Sequence, residues 1–259
     1  DLPGALQHCK KSREPVCHKD EPNCESFDSH NTDGNRGRQR HSSRGPFCLT
    51  VPGFGRTEIL QTSERCNMVE NLTTTVSSKS QTVTIQRDLP TILIGERINP
   101  TGRKDLQRAL QAGNFDVVRQ DAISQAAAGA AILDVNAGLA GGDEPDLLRA
   151  SVSAVMEVSE LPLCIDTADP AALAAALKIY KGKALINSVN GENQSLEQML
   201  PLVKEHEAAV IGLCMDDTGI PPTAEKRLAV ADKIIERAGK MGIAPENIVI
   251  DPQIGRAHV

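Results

Sequence analysis

The sequence predicts an α/β fold of the TIM (β/α)8-barrel type that stops after about the sixth strand. Beyond residue 90, short apolar runs alternate with helical patterns, each run is apolar on both faces, and polar residues follow most runs. Strands that are apolar on both faces are typical of parallel sheets covered by helices. Polar residues at many strand ends favour a barrel, whose strand ends surround one mouth, over a doubly wound open sheet with a single crevice.

Six predicted strands and the helices between them account for residues 91–253. The strands are TILIGERIN, AAILDVNAG, LPLCIDTAD, KALINSVNGE, AAVIGLCMDDTG and NIVIDPQ. Asp169 followed by Pro170 is the pattern of a helix start, and Gly182 lies just beyond the expected end of that helix. A later apolar stripe predicts another helix that stops before Gly242. The residues of this stripe are Leu228, Ala231, Ile234, Ile235 and Ala238.

Composition divides the chain near residue 68. Residues 1–67 hold five of the seven cysteines and four of the six histidines, without a sustained apolar period. The paired spacings of zinc modules are missing there, so we expect a disordered or non-native extension and predict no metal site. Residues 68–90 are rich in Ser and Thr and are expected to form a linker. Residues 254–259 match one reading frame of a common DNA-sequencing adapter and are expected to be an artefact.

Charge and hydropathy exclude several classes of function. The formal net charge of −6 makes nucleic acid an unfavourable partner. The sequence shows neither an apolar run of about 18 residues nor a secretory signal, so we expect no membrane association and a cytoplasmic location. The phosphate-binding patterns G-x-G-x-x-G and G-x-x-x-x-G-K-[ST] are absent. Cys164 and Cys214 each lie in an apolar run and are expected to be reduced core thiols.

The end of the first predicted strand carries polar residues after an apolar run. Strict alternation divides its residues between two faces: Ile92, Ile94 and Ile98 on one, and Leu93, Gly95, Arg97 and Asn99 on the other. Asn99 is therefore expected to reach the barrel mouth. Glu96 and Arg97 are equally consistent with an ion pair at the barrel rim and with a role in binding.

Carboxylates and carboxamides also end the other predicted strands. These residues are Asp134, Asn136, Asp166, Asn187 and Asp251. A lone Asp166 could serve only as a cap for the following helix, but an unpaired carboxylate near an apolar core is costly. Several such groups around one mouth, with few cations beside them, suit a neutral heterocycle rich in N–H donors. A carboxylate accepts two parallel N–H bonds from a 2-amino-pyrimidinone edge, and a carboxamide adds one donor and one acceptor.

Six motifs, taken in order, resemble the pterin-binding domain of the methyltetrahydrofolate:corrinoid methyltransferases: GERINPTGRK, LDVNAG, LCIDT, LINSVNGE, IGLCMDDTGIP and IDP. Related barrels are dihydropteroate synthase and the folate module of cobalamin-dependent methionine synthase. The resemblance covers about residues 91–253. It implies that Asp166, Asn187 and Asp251 bind the pterin ring. Glu96, Asn99, Asp134 and Asn136 match positions that line the same cavity.

The resemblance implies an enzyme of one-carbon metabolism. It would move the N5-methyl group of 5-methyltetrahydrofolate to the cobalt of a corrinoid (cobalamin) carried by a partner protein, and a homodimer is compatible with the sequence. In this family an Asn on the seventh strand contacts N5, so no catalytic residue is assigned here. The alternatives are dihydropteroate synthase, whose first-strand pattern N-V-T-P-D-S-F is replaced by NPTGRK, and a non-catalytic pterin-binding module.

Overall fold

The computed structural model describes residues 72–254, which form a two-stranded antiparallel sheet and a six-stranded parallel sheet with helices. The strands are β1 Thr74–Ser77, β2 Thr82–Ile85, β3 Ile94–Ile98, β4 Ile132–Val135, β5 Leu163–Asp166, β6 Leu185–Asn190, β7 Ala209–Leu213 and β8 Ile248–Asp251. The helices are α1 Lys104–Gln111, α2 Asp116–Ala127, α3 Glu144–Val158, α4 Pro170–Ile179, α5 Asn193–Glu205 and α6 Ala224–Lys240, and a 3-10 turn spans Pro245–Asn247. The extension predicted over 1–67 lies outside the described residues.

The parallel sheet has its strands in the order β3-β4-β5-β6-β7-β8. A doubly wound sheet reverses its strand order at one point, whereas a (β/α) barrel adds each strand beside the preceding one. The sequential order therefore confirms the predicted TIM-type arrangement of six strands. No helix within residues 72–254 combines the length and the apolar composition that crossing a membrane requires.

Alternate residues of the strands pack into two separate apolar layers. Outward-facing residues such as Leu133 and Ile165 join the helices in the larger cluster. Inward-facing residues form a second cluster; its fully buried members are Val76, Ile132, Cys164, Leu185 and Ala209. Burial on both faces explains why the strands read as continuous apolar runs. Cys164 and Cys214 are buried and unbridged, as predicted.

The helix boundaries follow their capping residues. The Asp169 side chain accepts a hydrogen bond of 2.8 Å from the Ala171 amide at the start of α4, as predicted. In α6, the stripe that is buried consists of Val230, Ala231, Ile234 and Ala238. Leu228 and Ile235 were predicted in this stripe, but they are 65% and 40% exposed. Ile234 is the residue of α6 that packs against Gly212 of β7. Leu228 and Ile235 are seven residues apart and lie together on a helix face beside this buried stripe.

A β-hairpin lies within the segment that was predicted to be a linker. Strands β1 and β2 pair in an antiparallel register, and Val76 packs into the inner apolar cluster. The Tyr180 hydroxyl donates to Ser77 O (2.9 Å) and accepts from Leu163 N (3.0 Å), which joins the hairpin to the start of β5. A Cβ on Gly182 would lie 2.1 Å from Ser77 O, so the close approach requires glycine. The hairpin thus covers the amino end of the parallel sheet.

A β-bulge interrupts β3. Gly95 pairs with Leu133 and Ile98 pairs with Val135, so two residues of β3 oppose one residue of β4. Ile92 and Ile94 pack in the inner cluster, whereas Ile98 belongs to the outer cluster. The prediction that these three isoleucines share a face is therefore wrong for Ile98, because the extra residue reverses the alternation.

Candidate functional site

A polar cavity of about 310 Å³ lies at the carboxyl ends of the parallel strands. It is lined by Glu96, Asn99, Asp134, Asp166, Asn187, Ser188, Ile211, Leu213, Asp251 and Gln253. The cavity volume lies at the lower end of the range of about 300–1,000 Å³ that is typical of small-molecule sites. This is the end of a (β/α) barrel at which ligands bind.

The strand alternation places the polar side chains in this cavity. Asp134, Asp166 and Asn187 each follow, by two positions, a fully buried residue of the inner cluster. Residues two apart on a strand face the same side, so the inner apolar layer continues directly into the polar cavity. Glu96 and Asn99 lie three positions apart, and the bulge in β3 lets both side chains line the cavity. The positions expected from the sequence are therefore brought together from separate strands.

Asn136 holds one of the carboxylates in place. Its Nδ2 donates to Asp166 Oδ2 (3.0 Å), and its Oδ1 accepts from Gly138 N (2.9 Å). Asn136 was predicted to line the cavity. It is not one of the described residues that line it, but it supports the cavity residue Asp166 from the side. The cap of α4 is Asp169, so Asp166 faces the cavity and does not serve as the helix cap.

Asp134 is the most deeply buried acid of the cavity, with 2% of its surface exposed. Asn187 Nδ2 donates to Asp134 Oδ2 over 3.1 Å. Burial and the nearby charge of Asp166 raise the pKa of Asp134 to about 6, and hydrogen bonds from Cys164 and Asn187 oppose this rise. The carboxyl group therefore changes its protonation state close to neutral pH.

Asp251 is held by the turn that follows β8. Its Oδ1 accepts from Gln253 N (2.7 Å), and its Oδ2 accepts from the Gln253 carboxamide. Gln253 has a φ of 56° and is buried, with 4% of its surface exposed. A ligand that uses Asp251 Oδ2 has to displace the Gln253 side chain.

Hydrogen bonds between side chains and the backbone hold the loop after β3. Asn99 Oδ1 accepts from Thr101 N (2.9 Å), and Arg97 O accepts from Arg103 Nη1 (2.6 Å). The Glu96–Arg97 ion pair considered from the sequence is absent from the ion pairs between residues 72 and 254. Glu96 lines the cavity, and Arg97 is exposed.

The cavity has an acidic character. Its lining within the described chain contains four carboxyl groups and no lysine or arginine; the acids are Glu96, Asp134, Asp166 and Asp251. Phosphate groups are bound by cations and N–H donors, so this lining disfavours a phosphorylated ligand. The described part of the chain also holds no group of three or more acidic, His or Cys residues arranged to bind a metal ion. The arrangement suits a compact ligand that presents several N–H donors.

Sequence reasoning missed three of the lining residues. Ile211 lies two positions before Leu213 on the same strand, and both line the cavity, so alternation could have identified it. Ser188 lies at an irregularity in the β6–β7 register between Asn187 and Val189, which no local pattern marks. Gln253 lines the cavity because of its positive φ, and nothing in its neighbourhood predicts this conformation.

Comparison with known proteins gives related sequences. A family described as pterin binding enzyme matches residues 95–258. The chain is 36% identical over 166 residues to a methylcorrinoid:tetrahydrofolate methyltransferase of Eubacterium limosum, covering 62% of this chain and 60% of that protein. It is 32% identical over 182 residues to the methionine synthase of Mycobacterium tuberculosis, covering 68% of this chain and 15% of that protein. The chain therefore spans only part of the length of these relatives.

Solved structures of similar fold include two dihydropteroate synthases. The Xanthomonas albilineans enzyme with 4-aminobenzoic acid has a TM-score of 0.53 and 21% identity, covering 73% of this chain and 68% of that chain. The Vibrio fischeri enzyme has a TM-score of 0.51 and 19% identity, covering 71% of this chain and 69% of that chain. At these identities the similarity shows a common fold.

Proposed function

Because the chain belongs to the pterin-binding enzyme family, we propose that its polar cavity binds the pterin ring of 5-methyltetrahydrofolate. The chain then supplies the folate-binding part of a methyltransferase that moves the N5-methyl group to the cobalt of a corrinoid. The corrinoid is carried by a separate protein that docks at the barrel mouth. Two relatives that exceed 30% identity are named as a methylcorrinoid:tetrahydrofolate methyltransferase and a methionine synthase, which supports this proposal.

The observation that carries the proposal is the convergence of Asp166, Asn187 and Asp251, from three different strands, on one cavity. The two carboxylates can accept paired N–H groups of the kind found on a 2-amino-pyrimidinone edge. Asn187 adds a carboxamide between them in strand order. A small cavity with this set of acceptors fits a bicyclic pterin better than it fits a phosphorylated or purely apolar ligand.

In this proposal the described residues bind and orient the ring. Fixing the ring in one orientation keeps the N5–methyl bond directed toward the barrel mouth, where a second reactant can approach it. The corrinoid supplies the cobalt that exchanges the methyl group. The relative from Eubacterium limosum is named for methylcorrinoid and tetrahydrofolate. The proposal therefore includes the reverse reaction, in which the methyl group moves from the corrinoid to tetrahydrofolate.

Dihydropteroate synthase is the second candidate, because solved members share the fold. That enzyme joins a pterin pyrophosphate to an aminobenzoate, and its pyrophosphate calls for cations. The cavity of the described chain is lined by acids without lysine or arginine. This difference favours the methyltransferase.

Isothermal titration of the full chain with 5-methyltetrahydrofolate tests the proposal. We expect saturable binding that Asp251→Asn weakens by about tenfold, because a hydrogen bond to a charged group contributes about 1.5–3 kcal/mol. Asp217→Asn is the matched control, since Asp217 is an exposed acid of the β7–α6 loop outside the cavity. We expect the control to bind like the unsubstituted chain.

Two further measurements separate the candidate functions. Formation of methylcobalamin from 5-methyltetrahydrofolate and cob(I)alamin, followed by its absorbance, supports the methyltransferase. Formation of pteroate from the pterin pyrophosphate and 4-aminobenzoate would instead support dihydropteroate synthase. Failure of the chain to bind 5-methyltetrahydrofolate at all contradicts the proposed function.

A further inference from the structure

The contact between Asn187 and Asp134 determines which end of an amide the cavity presents. Asn187 Nδ2 donates to Asp134 Oδ2 over 3.1 Å, and Asp134 is 2% exposed. A carboxamide has a donor end and an acceptor end, and the two can exchange places by a rotation of the side chain. With the amino end turned to Asp134, one of its two N–H groups is used there, and the carbonyl Oδ1 is the acceptor that remains for a ligand in the cavity that Asn187 lines.

An ionised Asp134 permits only this orientation. A carboxylate accepts hydrogen bonds and donates none, so rotation of Asn187 would set two acceptor oxygens against each other in a buried site. A protonated Asp134 carries an O–H and can donate to Asn187 Oδ1. Rotation is then allowed, and the Asn187 amino group can face the ligand.

The orientation of Asn187 distinguishes reduced from oxidised pterin rings. In a fully oxidised pterin, the nitrogens of the pyrazine ring are acceptors, whereas reduction converts ring nitrogens into N–H donors. An acceptor such as Asn187 Oδ1 is satisfied by an N–H and left unpaired against a ring acceptor, and an unmade buried hydrogen bond is costly. We propose that Asp134 is a specificity-determining residue that fixes the Asn187 carboxamide and thereby makes the cavity select a reduced pterin ring. The inference rests on the proposed function, because it assumes a pterin ligand.

The groups that face Asp134 come from three other strands of the parallel sheet. Glu96 lies on β3, and Cys164 and Asp166 lie on β5, while Asn187 approaches from β6. Burial and the charge of Asp166 raise the pKa of Asp134 to about 6. Asp134 is therefore ionised at pH 7.5, where the orientation of Asn187 is fixed, and protonated well below pH 6, where it is not.

The ratio of two dissociation constants tests the inference. Calorimetric titration at pH 7.5 gives Kd for folate, which is oxidised, and for 5-methyltetrahydrofolate, which is reduced. In Asp134→Asn the new carboxamide can either donate or accept, so Asn187 is free to rotate. We therefore expect the ratio of Kd for folate to Kd for 5-methyltetrahydrofolate to fall by about tenfold. Differences in ring shape and N5 substitution are common to both proteins and cancel when their ratios are compared.

Glu96→Gln is the matched control. It removes a carboxylate from the same cavity but leaves the Asn187–Asp134 hydrogen bond in place. We expect it to change both dissociation constants in parallel, with an unchanged ratio. An equal fall of the ratio in Glu96→Gln and Asp134→Asn would show that cavity charge alone sets the preference, which overturns the inference.

A pH series on the unsubstituted chain provides evidence that needs no variant. Between pH 7.5 and pH 5 we expect its ratio to approach that of Asp134→Asn, which is measured alongside to account for titration of the ligands. A ratio in Asp134→Asn equal to that of the unsubstituted chain at pH 7.5, with both ligands bound, overturns this inference alone. Failure of the unsubstituted chain to bind 5-methyltetrahydrofolate overturns the proposed function and the inference together.

Discussion

The two ends of the parallel sheet have opposite chemical character. At the amino end, the β1–β2 hairpin inserts Val76 among fully buried apolar residues. At the carboxyl end, the same strands present four acids around a cavity. On β4 the change takes two residues, from Ile132 to Asp134. The difference indicates that apolar burial at one end stabilises a fold that tolerates costly buried carboxylates at the other end.

A charge placed at the amino end should have the largest effect on stability. In Val76→Asp, a carboxylate replaces a side chain with 0% exposure that packs among apolar residues. We expect a loss of about 3–5 kcal/mol in the free energy of unfolding, measured by denaturant titration. Thr82→Asp is the control, because Thr82 is exposed on the neighbouring strand. Similar losses in both variants would refute a stabilising role for the burial of Val76 by the β1–β2 hairpin.

Removal of a charge from the carboxyl end should have the opposite sign. The pKa of Asp134 rises from 3.8 to about 6 on folding, so the folded chain binds more protons than the unfolded chain between these values. Stability therefore falls as pH rises from about 4 to 6, by about 3 kcal/mol in total. Asp134→Asn abolishes this loss, and we expect its advantage over the unsubstituted chain to be about 2–2.5 kcal/mol larger at pH 8 than at pH 4, because the unfolded carboxyl group is already partly ionised at pH 4.

Denaturant titrations of both proteins at pH 4 and pH 8 measure this difference. A stability difference that is the same at both pH values would show that Asp134 titrates alike in the folded and unfolded chains. The Asp134 charge would then carry no cost of burial, and the contrast between the two ends would be weaker than described.

A smaller effect is expected where the hairpin is joined to β5. Tyr180→Phe removes the hydroxyl that bonds Ser77 O and Leu163 N, without changing the ring. We expect a loss of about 1–2 kcal/mol in the free energy of unfolding, because two partly buried backbone groups lose their partner. Hydrogen exchange of the Leu163 amide should become faster. Unchanged exchange at Leu163 would mean that this hydrogen bond does not secure the hairpin.

The inner residues of β4, β5 and β6 were predictable because their pattern is local. Asp134, Asp166 and Asn187 each follow an apolar residue by two positions, and alternation alone directs both residues to the same side. Tertiary interactions decided the features that were missed. The bulge at Glu96 and Arg97 depends on pairing with β4, which the apolar pattern of β3 does not record.

The hairpin was not predicted for a related reason. Its strands are four residues long and rich in Thr and Ser, so they lack a strong apolar signal. Their position depends on long-range contacts with Tyr180, Gly182 and Lys183. Sequence reasoning therefore located the cavity from short-range periodicity and missed the element that covers the opposite end.

The central claim is that carboxylates from separate strands bind a pterin ring at the carboxyl end of the sheet. Calorimetric titration of 5-methyltetrahydrofolate into the double variant Asp166→Ala/Asp251→Ala, together with its denaturant stability, tests it most directly. We predict an affinity at least about 100-fold lower, from the loss of two charged hydrogen-bonding partners, in a variant that still unfolds cooperatively. Unchanged affinity for 5-methyltetrahydrofolate in this stably folded variant would contradict the account.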